Sequence, residues 1–211
     1  MRDETPSERP KFKTCRRYND AGHAHALTFC CFRRQKFLAS PRSCQWLVDA
    51  IDLARRKHEF DLWAYVMMPE HVHLIVCPRR DEYDVSRFLS TLKLSVTRKA
   101  LAFMQLEAPE SLSLMLDEQP NGQRHYRFWQ RGGGFDRNLW SDKAIFAEID
   151  YVHANPIRRG LCERPEDWAW SSAADYGLTR SGLLSIDFAS LPRSYEVGRG
   201  PRRSPRWRWT P

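Results

Sequence analysis

Two histidines stand two residues apart in an apolar segment, PEHVHLIV, at residues 69–76. The apolar run predicts a strand, and the side chains of a strand alternate between its two faces. His71 and His73 therefore project from the same face, together with Ile75 and Cys77. Two neutral imidazoles on one face can hold a divalent metal ion through their ring nitrogens. The alternative is a pair of histidines whose hydrogen bonds are satisfied on a half-exposed strand.

A tyrosine and an asparagine in the segment DYVHANP form a second group able to do chemistry. Residues 141–154 predict a helix that ends at Pro156, because the residue before a proline resists the α-helical region. Tyr151 and Asn155 are four residues apart and share one face. A phenol beside an amide oxygen would place a nucleophile next to a third metal ligand. The alternative is an ordinary interface tyrosine. A different stripe of this helix can pack on a sheet: Ile145, Ile149 and Val152.

The remaining elements predict a small antiparallel sheet covered by helices. The short link at residues 69–70 joins two strands into a hairpin, which excludes an all-parallel sheet, and the strands are too few for a barrel. The order of elements, β-α-β-β-α-β-α, predicts an α+β fold of ferredoxin-like, RRM-like form. Strands are predicted at 25–32, 60–68, 71–78 and 126–131, and helices at 42–58, 84–105 and 141–154.

Composition limits the class of protein. The chain of 211 residues is 42% hydrophobic, which is enough for one sizeable core. Lys and Arg number 34 against 26 Asp and Glu, and the net charge of +8 favours a polyanionic partner. The six cysteines include no CxxC pair, which argues for reduced thiols and against a zinc ribbon. No apolar run is long enough to cross a bilayer, and the polar N-terminus lacks a signal peptide, so we expect a soluble cytoplasmic protein.

Three regions are predicted along the chain. Residues 1–22 form a polar N-terminal arm, and residues 23–180 form one catalytic domain. Residues 181–211 form a C-terminal segment that ends in a basic tail rich in Arg and Trp. Because this tail is too rich in Pro and Arg to pack, we expect it to be disordered.

Three motifs in order resemble a known family of DNA enzymes. They are MPEHVHLIV, then FWQRGGGFDRNL, then YVHANPIRRGLCERPEDWAWSSA. Together they resemble the single-tyrosine HUH transposases, especially the REP-associated tyrosine transposase branch, over about residues 23–176. The two histidines flanking one apolar residue are weak evidence alone, but the three motifs in this order are specific. The resemblance implies the HUH-endonuclease fold.

The resemblance also implies a reaction. Tyr151 would attack a scissile phosphate of single-stranded DNA, form a 5′-phosphotyrosine and release a 3′-hydroxyl. A divalent ion, Mg²⁺ or Mn²⁺, would be held by His71, His73 and Asn155 and would polarise that phosphate. The expected partner is single-stranded DNA carrying hairpins, REP-like palindromes, in the bacterial cytoplasm close to the nucleoid. No nucleotide cofactor is needed, no membrane is involved, and the protein could act as a monomer or as a homodimer that exchanges the tyrosine helix.

Basic and aromatic residues near these motifs could hold DNA. Arg131, Arg158 and Arg159 are predicted as a group to contact phosphates, although arginines also form ordinary solvated surfaces. Amides of the glycine run 132–134 could approach a phosphate, but such a run is more often a flexible turn. The pair Trp168 and Trp170 could stack on unpaired bases or pack the core.

Two other functions remain open from the sequence. A nucleic-acid-binding module could keep the fold and lack catalysis, although His71, His73, Tyr151 and Asn155 are all present. A metal-dependent hydrolase could also use the HxH pattern, but such enzymes usually need further His or Asp ligands and a larger barrel.

Overall fold

A four-stranded antiparallel sheet forms the centre of the protein, in a computed structural model that describes residues 18–179 and 182–192. The sheet strands are β1 Ala24–Cys30, β2 Phe60–Met68, β3 His71–Pro78 and β6 Phe135–Leu139. They lie in the order β2-β3-β1-β6, and all neighbours run antiparallel. The predicted α+β architecture with an antiparallel sheet is therefore confirmed.

The hairpin between β2 and β3 is a very tight connection. Met68 pairs with His71, so only residues 69–70 form the turn. Further along β3, His73 pairs with Val66 on one side and with Thr28 of β1 on the other. Directly paired residues of an antiparallel sheet project to the same face, so the register alone brings the Thr28 and His73 side chains together.

Two long helices cover one face of the sheet. Helix α1, Pro41–His58, begins where Ser40 accepts a hydrogen bond from the Ser43 amide. Helix α2, Val85–Glu107, begins at Asp84, whose carboxylate accepts from two backbone amides of the first turn. Capping by Ser and Asp satisfies amides that a helix start leaves without an intrahelical partner. These helices bury one apolar cluster with the sheet, including Leu47, Ile51, Phe88 and Leu92 from the helices and Leu27, Phe29, Val72 and Leu74 from the strands.

Helix α4, Asp142–His153, covers the opposite face. Its predicted stripe is confirmed, because Ile145, Ile149 and Val152 are buried in a second apolar cluster with Ile75 and Leu139 of the sheet. The short helix α5, Asn155–Arg158, follows after a single residue. The face of β3 that carries the two histidines is thus the face against which α4 lies.

The predicted fourth strand at 126–131 is wrong, because β6 takes that place in the sheet. Phe128 and Trp129 are both buried, and Trp129 makes an isolated bridge with Cys31 rather than part of a continuous strand ladder. They pack into the cluster under α1 and α2 instead. The edge strand β6, FDRNL, is mostly polar and gives little strand signal. The segment between α2 and β6 holds three small elements: α3 Leu112–Met115, β4 Leu116–Glu118 and β5 Arg124–Tyr126, with β4 and β5 paired.

The chain after α5 returns along the edge of the sheet. It includes the short helix α6, Ala173–Tyr176, and residues 182–192, where Leu184 and Leu191 are buried. The Asp187 carboxylate accepts a hydrogen bond from the Leu62 amide of β2 at 2.8 Å. Most of the predicted arm and of the basic tail lie outside the described residues, so the proposed domain boundaries stay predictions. Within the described residues, no helix has the length and apolar character needed to span a bilayer.

We expect Gly134→Ala to destabilise the protein by about 2–5 kcal/mol, because the new Cβ would be strained and would clash. Gly134 has φ +78°, and a Cβ there would lie 2.2 Å from the Thr28 carbonyl oxygen. Gly132 is a matched control, because it has φ +86° with open space around it. Gly132→Ala should cost only the left-handed strain, about 1–2 kcal/mol. Denaturant unfolding measures both, and equal losses would contradict the role of the close approach.

Candidate active site

Two imidazoles meet at the centre of the site. The Nε2 atoms of His71 and His73 are 3.1 Å apart, and the rings are nearly perpendicular. Both residues are buried, with 8% and 7% of their surface exposed. The prediction that they project from one face is confirmed by this contact.

The other ring nitrogen of each imidazole has its own partner. His73 Nδ1 hydrogen-bonds with Thr28 Oγ1 at 2.8 Å, and His71 Nδ1 donates to a Glu70 carboxylate oxygen at 3.2 Å. Because a carboxylate accepts only, Glu70 keeps the His71 proton on Nδ1. A hydroxyl both donates and accepts, so Thr28 is compatible with either tautomer of His73. Partners at Nδ1 leave the two Nε2 atoms facing each other.

Burial keeps both imidazoles neutral. It lowers the pKa of His73 to about 3, with smaller contributions from the neighbouring His71 and Arg158. Burial also lowers the pKa of His71, against the opposing effect of the Glu70 carboxylate. A neutral imidazole has a lone pair available for a metal ion, so the rings need no proton removed at neutral pH.

The spacing of the two Nε2 atoms suits a divalent ion. The two Nε2 atoms, 3.1 Å apart, are close enough for one ion to be held by both imidazoles. Among the residues that the structure describes, no group of three or more His, Cys, Asp or Glu side chains converges as a metal site. An ion here would therefore need oxygen ligands from an amide, from water or from a substrate.

Tyr151 lies beside the imidazole pair. Its ring centroid is 6.3 Å from that of His73, and the rings are perpendicular. The residue is 40% exposed, and the Arg158 guanidinium lies over its ring at 4.5 Å. The phenol and both imidazoles thus come together within one chain, with the tyrosine open to solvent on one side.

Asn155 follows the tyrosine helix, and its side chain binds the end of that helix. Its Nδ2 donates to the backbone carbonyls of Tyr151 at 3.0 Å and Val152 at 3.2 Å. These bonds satisfy carbonyls that a helix end leaves without intrahelical donors. They use only the donor atom of the amide, so Oδ1 is the atom that could serve as a ligand. The role of Asn155 as a metal ligand stays a prediction.

Two of the three predicted DNA-contacting arginines lie at this site. Arg158 covers the tyrosine ring, and Arg159 donates to the Glu70 carboxylate at 2.9 Å while half of its side chain stays exposed. Arg131 is bound to Asp117 of β4 at 3.0 Å instead. No contact among the described residues joins Arg131 to the imidazoles or to Tyr151.

A further arginine, Arg34, lies near the site, and no sequence motif marks it. The chain leaves β1 through residues 31–35, where Arg33 and Arg34 have φ +51° and +55°. Such left-handed conformations are unfavourable for residues with a Cβ and occur often at functional sites. Arg34 lies 3.9 Å from the Glu70 carboxylate with 65% of its side chain exposed. Arg34 and Arg159 thus approach the same carboxylate.

The two partners of the imidazoles were missed from the sequence. Glu70 is adjacent to His71 in the sequence, which suggests a contact between the two side chains. The sequence does not show that the Glu70 side chain would be buried. Thr28 lies 45 residues before His73 and becomes its partner only through the register of β1 and β3. No local pattern marks such a residue.

Trp168 and Trp170 pack the core. The Trp168 indole donates to the Met67 carbonyl at 2.9 Å, and the Met67 amide donates to the Trp170 carbonyl at 2.9 Å. Both tryptophans contact the apolar clusters. These contacts favour packing over base stacking.

His153 fixes the tyrosine helix on the sheet. It is buried, and its Nε2 hydrogen-bonds with Ser172 Oγ at 2.8 Å. Ser172 in turn accepts from the Tyr65 amide and donates to the Tyr65 carbonyl of β2. His153 therefore stabilises the helix end that carries Tyr151, and it takes no part in the imidazole pair.

Curated relatives of the chain carry one family name. No protein-family model matches. The REP-associated tyrosine transposase of Escherichia coli strain K12 is 25% identical over 167 residues, which are 79% of this chain and 84% of that protein. A protein of the same family name from Haemophilus influenzae is 25% identical over 139 residues, 62% of this chain and 73% of its own. The chain is similar in sequence to the REP-associated tyrosine transposases.

The fold is shared with a solved member of the same family. A REP-associated tyrosine transposase bound to a REP hairpin covers 90% of this chain and 98% of its own length, with a TM-score of 0.61. At 23% identity this likeness establishes the fold. Relationship to these transposases and the arrangement of His71, His73 and Tyr151 agree with the resemblance found in the sequence.

We expect stability to fall in acid partly through His153. Burial lowers its pKa to about 3, so between pH 6.5 and that value the unfolded chain binds a proton that the folded chain does not. The free energy of unfolding therefore falls as the pH is lowered, by up to about 1.4 kcal/mol per unit. His153→Gln keeps a hydrogen-bonding side chain and does not titrate.

Thermal or denaturant unfolding at pH 7.5 and 5.0 measures this effect. The loss of stability between the two values should be smaller in His153→Gln by about 2 kcal/mol. Equal losses in both proteins would mean that His153 is not a neutral buried group.

Proposed function

We propose that the protein is a metal-dependent single-stranded DNA endonuclease and strand transferase that acts at hairpin repeats through a 5′-phosphotyrosine. The observation that carries this proposal is the meeting of three groups in one chain. Two neutral Nε2 atoms lie 3.1 Å apart, and the Tyr151 ring lies against one of the imidazoles. The curated relatives support the same reaction class.

The proposed cleavage is a transesterification at phosphorus. The Tyr151 oxygen forms a bond to the scissile phosphorus, and the bond from phosphorus to the 3′-oxygen breaks. The phenolic proton passes to solvent, and the released 3′-oxygen takes up a proton. A 3′-hydroxyl from the same or another strand reverses the step and frees Tyr151. Because the phosphodiester energy is kept in the covalent bond, no nucleotide cofactor is required.

The residues present are suited to a resident divalent ion, Mg²⁺ or Mn²⁺. His71 and His73 would hold it through Nε2, and Asn155 through Oδ1. Imidazole ligands favour Mn²⁺, whereas a phosphate substrate favours Mg²⁺. When bound, such an ion would supply Lewis-acid polarisation of the scissile phosphate.

The arginines of the site would receive the DNA backbone. Arg34, Arg158 and Arg159 present guanidinium groups around Tyr151 and Glu70. Guanidinium groups neutralise phosphates and make affinity salt-dependent. The solved neighbour is bound to a REP hairpin, which supports hairpin DNA as the substrate here. Arg131 could contact the DNA backbone only if its ion pair with Asp117 were broken.

Two alternatives are less well supported. A hydrolase with several metal ligands would need more than two imidazoles, and the described residues hold no cluster of three or more His, Cys, Asp or Glu ligands. A binding module without catalysis does not need a phenol oxygen beside a neutral imidazole pair. Since every group proposed for catalysis comes from one chain, the site can be assembled in a monomer.

Tyr151→Phe should abolish covalent capture of DNA. With Mn²⁺ and a pool of single-stranded hairpin oligonucleotides, the parent protein should form an adduct that survives denaturing electrophoresis. Loss of the phenol oxygen should reduce adduct formation by at least about 1,000-fold. Tyr126→Phe is the control, because Tyr126 lies on β5, which pairs with β4 in a separate two-stranded sheet. An adduct that persists in Tyr151→Phe, or no adduct with the parent protein, contradicts the proposal.

Thr28→Val should weaken binding of Mn²⁺ by about 10–100-fold, because loss of a partner that orients a metal-ligating imidazole has this effect. Valine keeps the shape of the side chain and removes the oxygen that contacts His73 Nδ1. Thr97→Val is a matched control, since the Thr97 hydroxyl donates to the Lys93 carbonyl within α2. Calorimetric titration of each protein with MnCl₂ measures the affinity. The role of Thr28 fails if both variants bind as the parent does.

A further inference from the structure

An exposed phenylalanine lies in the same row of the sheet as the imidazole pair. Phe135 pairs with Thr28, and Thr28 pairs with His73. Directly paired residues project to one face, so the Phe135 ring stands on the face that carries the imidazole. Adjacent strands are about 4.8 Å apart, which puts Phe135 roughly 10 Å from His73 across the sheet.

The tyrosine helix turns one flank towards Phe135. Glu148 accepts a hydrogen bond from Arg137 of β6 at 3.3 Å, and Tyr151 follows three residues later on the same flank of α4. Arg137 is two residues from Phe135 and on the same face of β6. The flank of α4 that carries Glu148 and Tyr151 therefore runs along the end of β6 where Phe135 stands.

Phe135 is an exposed aromatic residue that belongs to neither apolar cluster of the described residues. The residue is 55% exposed on an edge strand, whereas Leu139 on the same face is buried in the cluster under α4. Gly134 lets the chain pass close to β1 immediately before Phe135, because a Cβ there would collide with the Thr28 carbonyl. The chain thus passes close to β1 immediately before the exposed ring of Phe135.

We propose that Phe135 is a substrate-binding residue, on whose ring the base of the nucleotide next to the scissile phosphate stacks. This inference rests on the proposed function. It adds a contact with a base that the proposed cleavage reaction does not itself require. An aromatic ring offers a π-face to any base, so this contact binds unpaired nucleotides with little sequence preference. A duplex keeps its bases stacked within the helix, so Phe135 selects single-stranded DNA at the cleavage position.

Binding without chemistry tests this contact separately from catalysis. Tyr151→Phe serves as the background, so that no cleavage occurs, and a fluorescein-labelled hairpin oligonucleotide pool with a single-stranded flank is the probe. Fluorescence anisotropy should give a Kd about 10-fold weaker when Phe135→Ala is added to this background. Phe135→Trp should restore or tighten binding. The exposed Tyr126→Ala is the matched control and should bind as the background does.

The pattern of results decides the inference. Removal of the bases from the single-stranded flank should abolish the difference in Kd between the background protein and its Phe135→Ala derivative, because no base is then left to stack. A Kd within twofold for Phe135→Ala, an equal loss in Tyr126→Ala, or no binding by the background protein overturns the inference. A missing phosphotyrosine adduct with the native tyrosine would instead contradict the proposed function and leave these binding results as they stand.

Discussion

The site depends on the hydrogen bonds that turn two buried imidazoles towards each other. Without the Thr28 hydroxyl and the Glu70 carboxylate at Nδ1, either ring could rotate and present the wrong nitrogen. Burial then keeps both rings neutral by lowering their pKa values. Orientation and neutrality together give the two histidines the lone pairs that the proposed metal ion would need.

The sheet and its turns supply these partners without any dedicated loop. Thr28 comes from the register between β1 and β3, and Glu70 comes from the two-residue turn that starts β3. The Glu70 carbonyl also accepts the Cys31 amide at 2.8 Å, which ties the turn to the end of β1. Its carboxylate reaches Arg159 beyond α5. One buried residue thereby joins the hairpin, the first strand and the segment after the tyrosine helix.

The sequence predicts those parts of the site that depend on the regular spacing of side chains along a strand or a helix. The faces of β3 and α4 could be read from spacings of two and four residues, so His71, His73 and Tyr151 were predicted as candidates, and the structure brings them together. The position of β6 could not be read, because FDRNL is a polar edge strand and the aromatic segment before it resembles a better one. Thr28 and Phe135 were missed for a related reason: each reaches the row of His73 only by pairing across strands that are distant in sequence. The spacing of Asn155 from Tyr151 was equally readable, but its bonds to the helix end could not be foreseen.

The charges around the site favour a phosphate over other ligands. The imidazoles are neutral, and the carboxylate closest to them, Glu70, faces guanidinium groups of Arg34 and Arg159. A third guanidinium, that of Arg158, lies over the Tyr151 ring. The described groups around the pair thus carry more positive than negative charge, and a bound divalent cation would add to this excess. An anionic substrate would balance it, whereas a neutral or cationic ligand would leave several cations close together with little compensation. The same balance explains why His71 stays neutral beside the buried Glu70 carboxylate. Arg34 and Arg159 offset the negative charge of Glu70, so His71 does not take up a proton and keeps its lone pair.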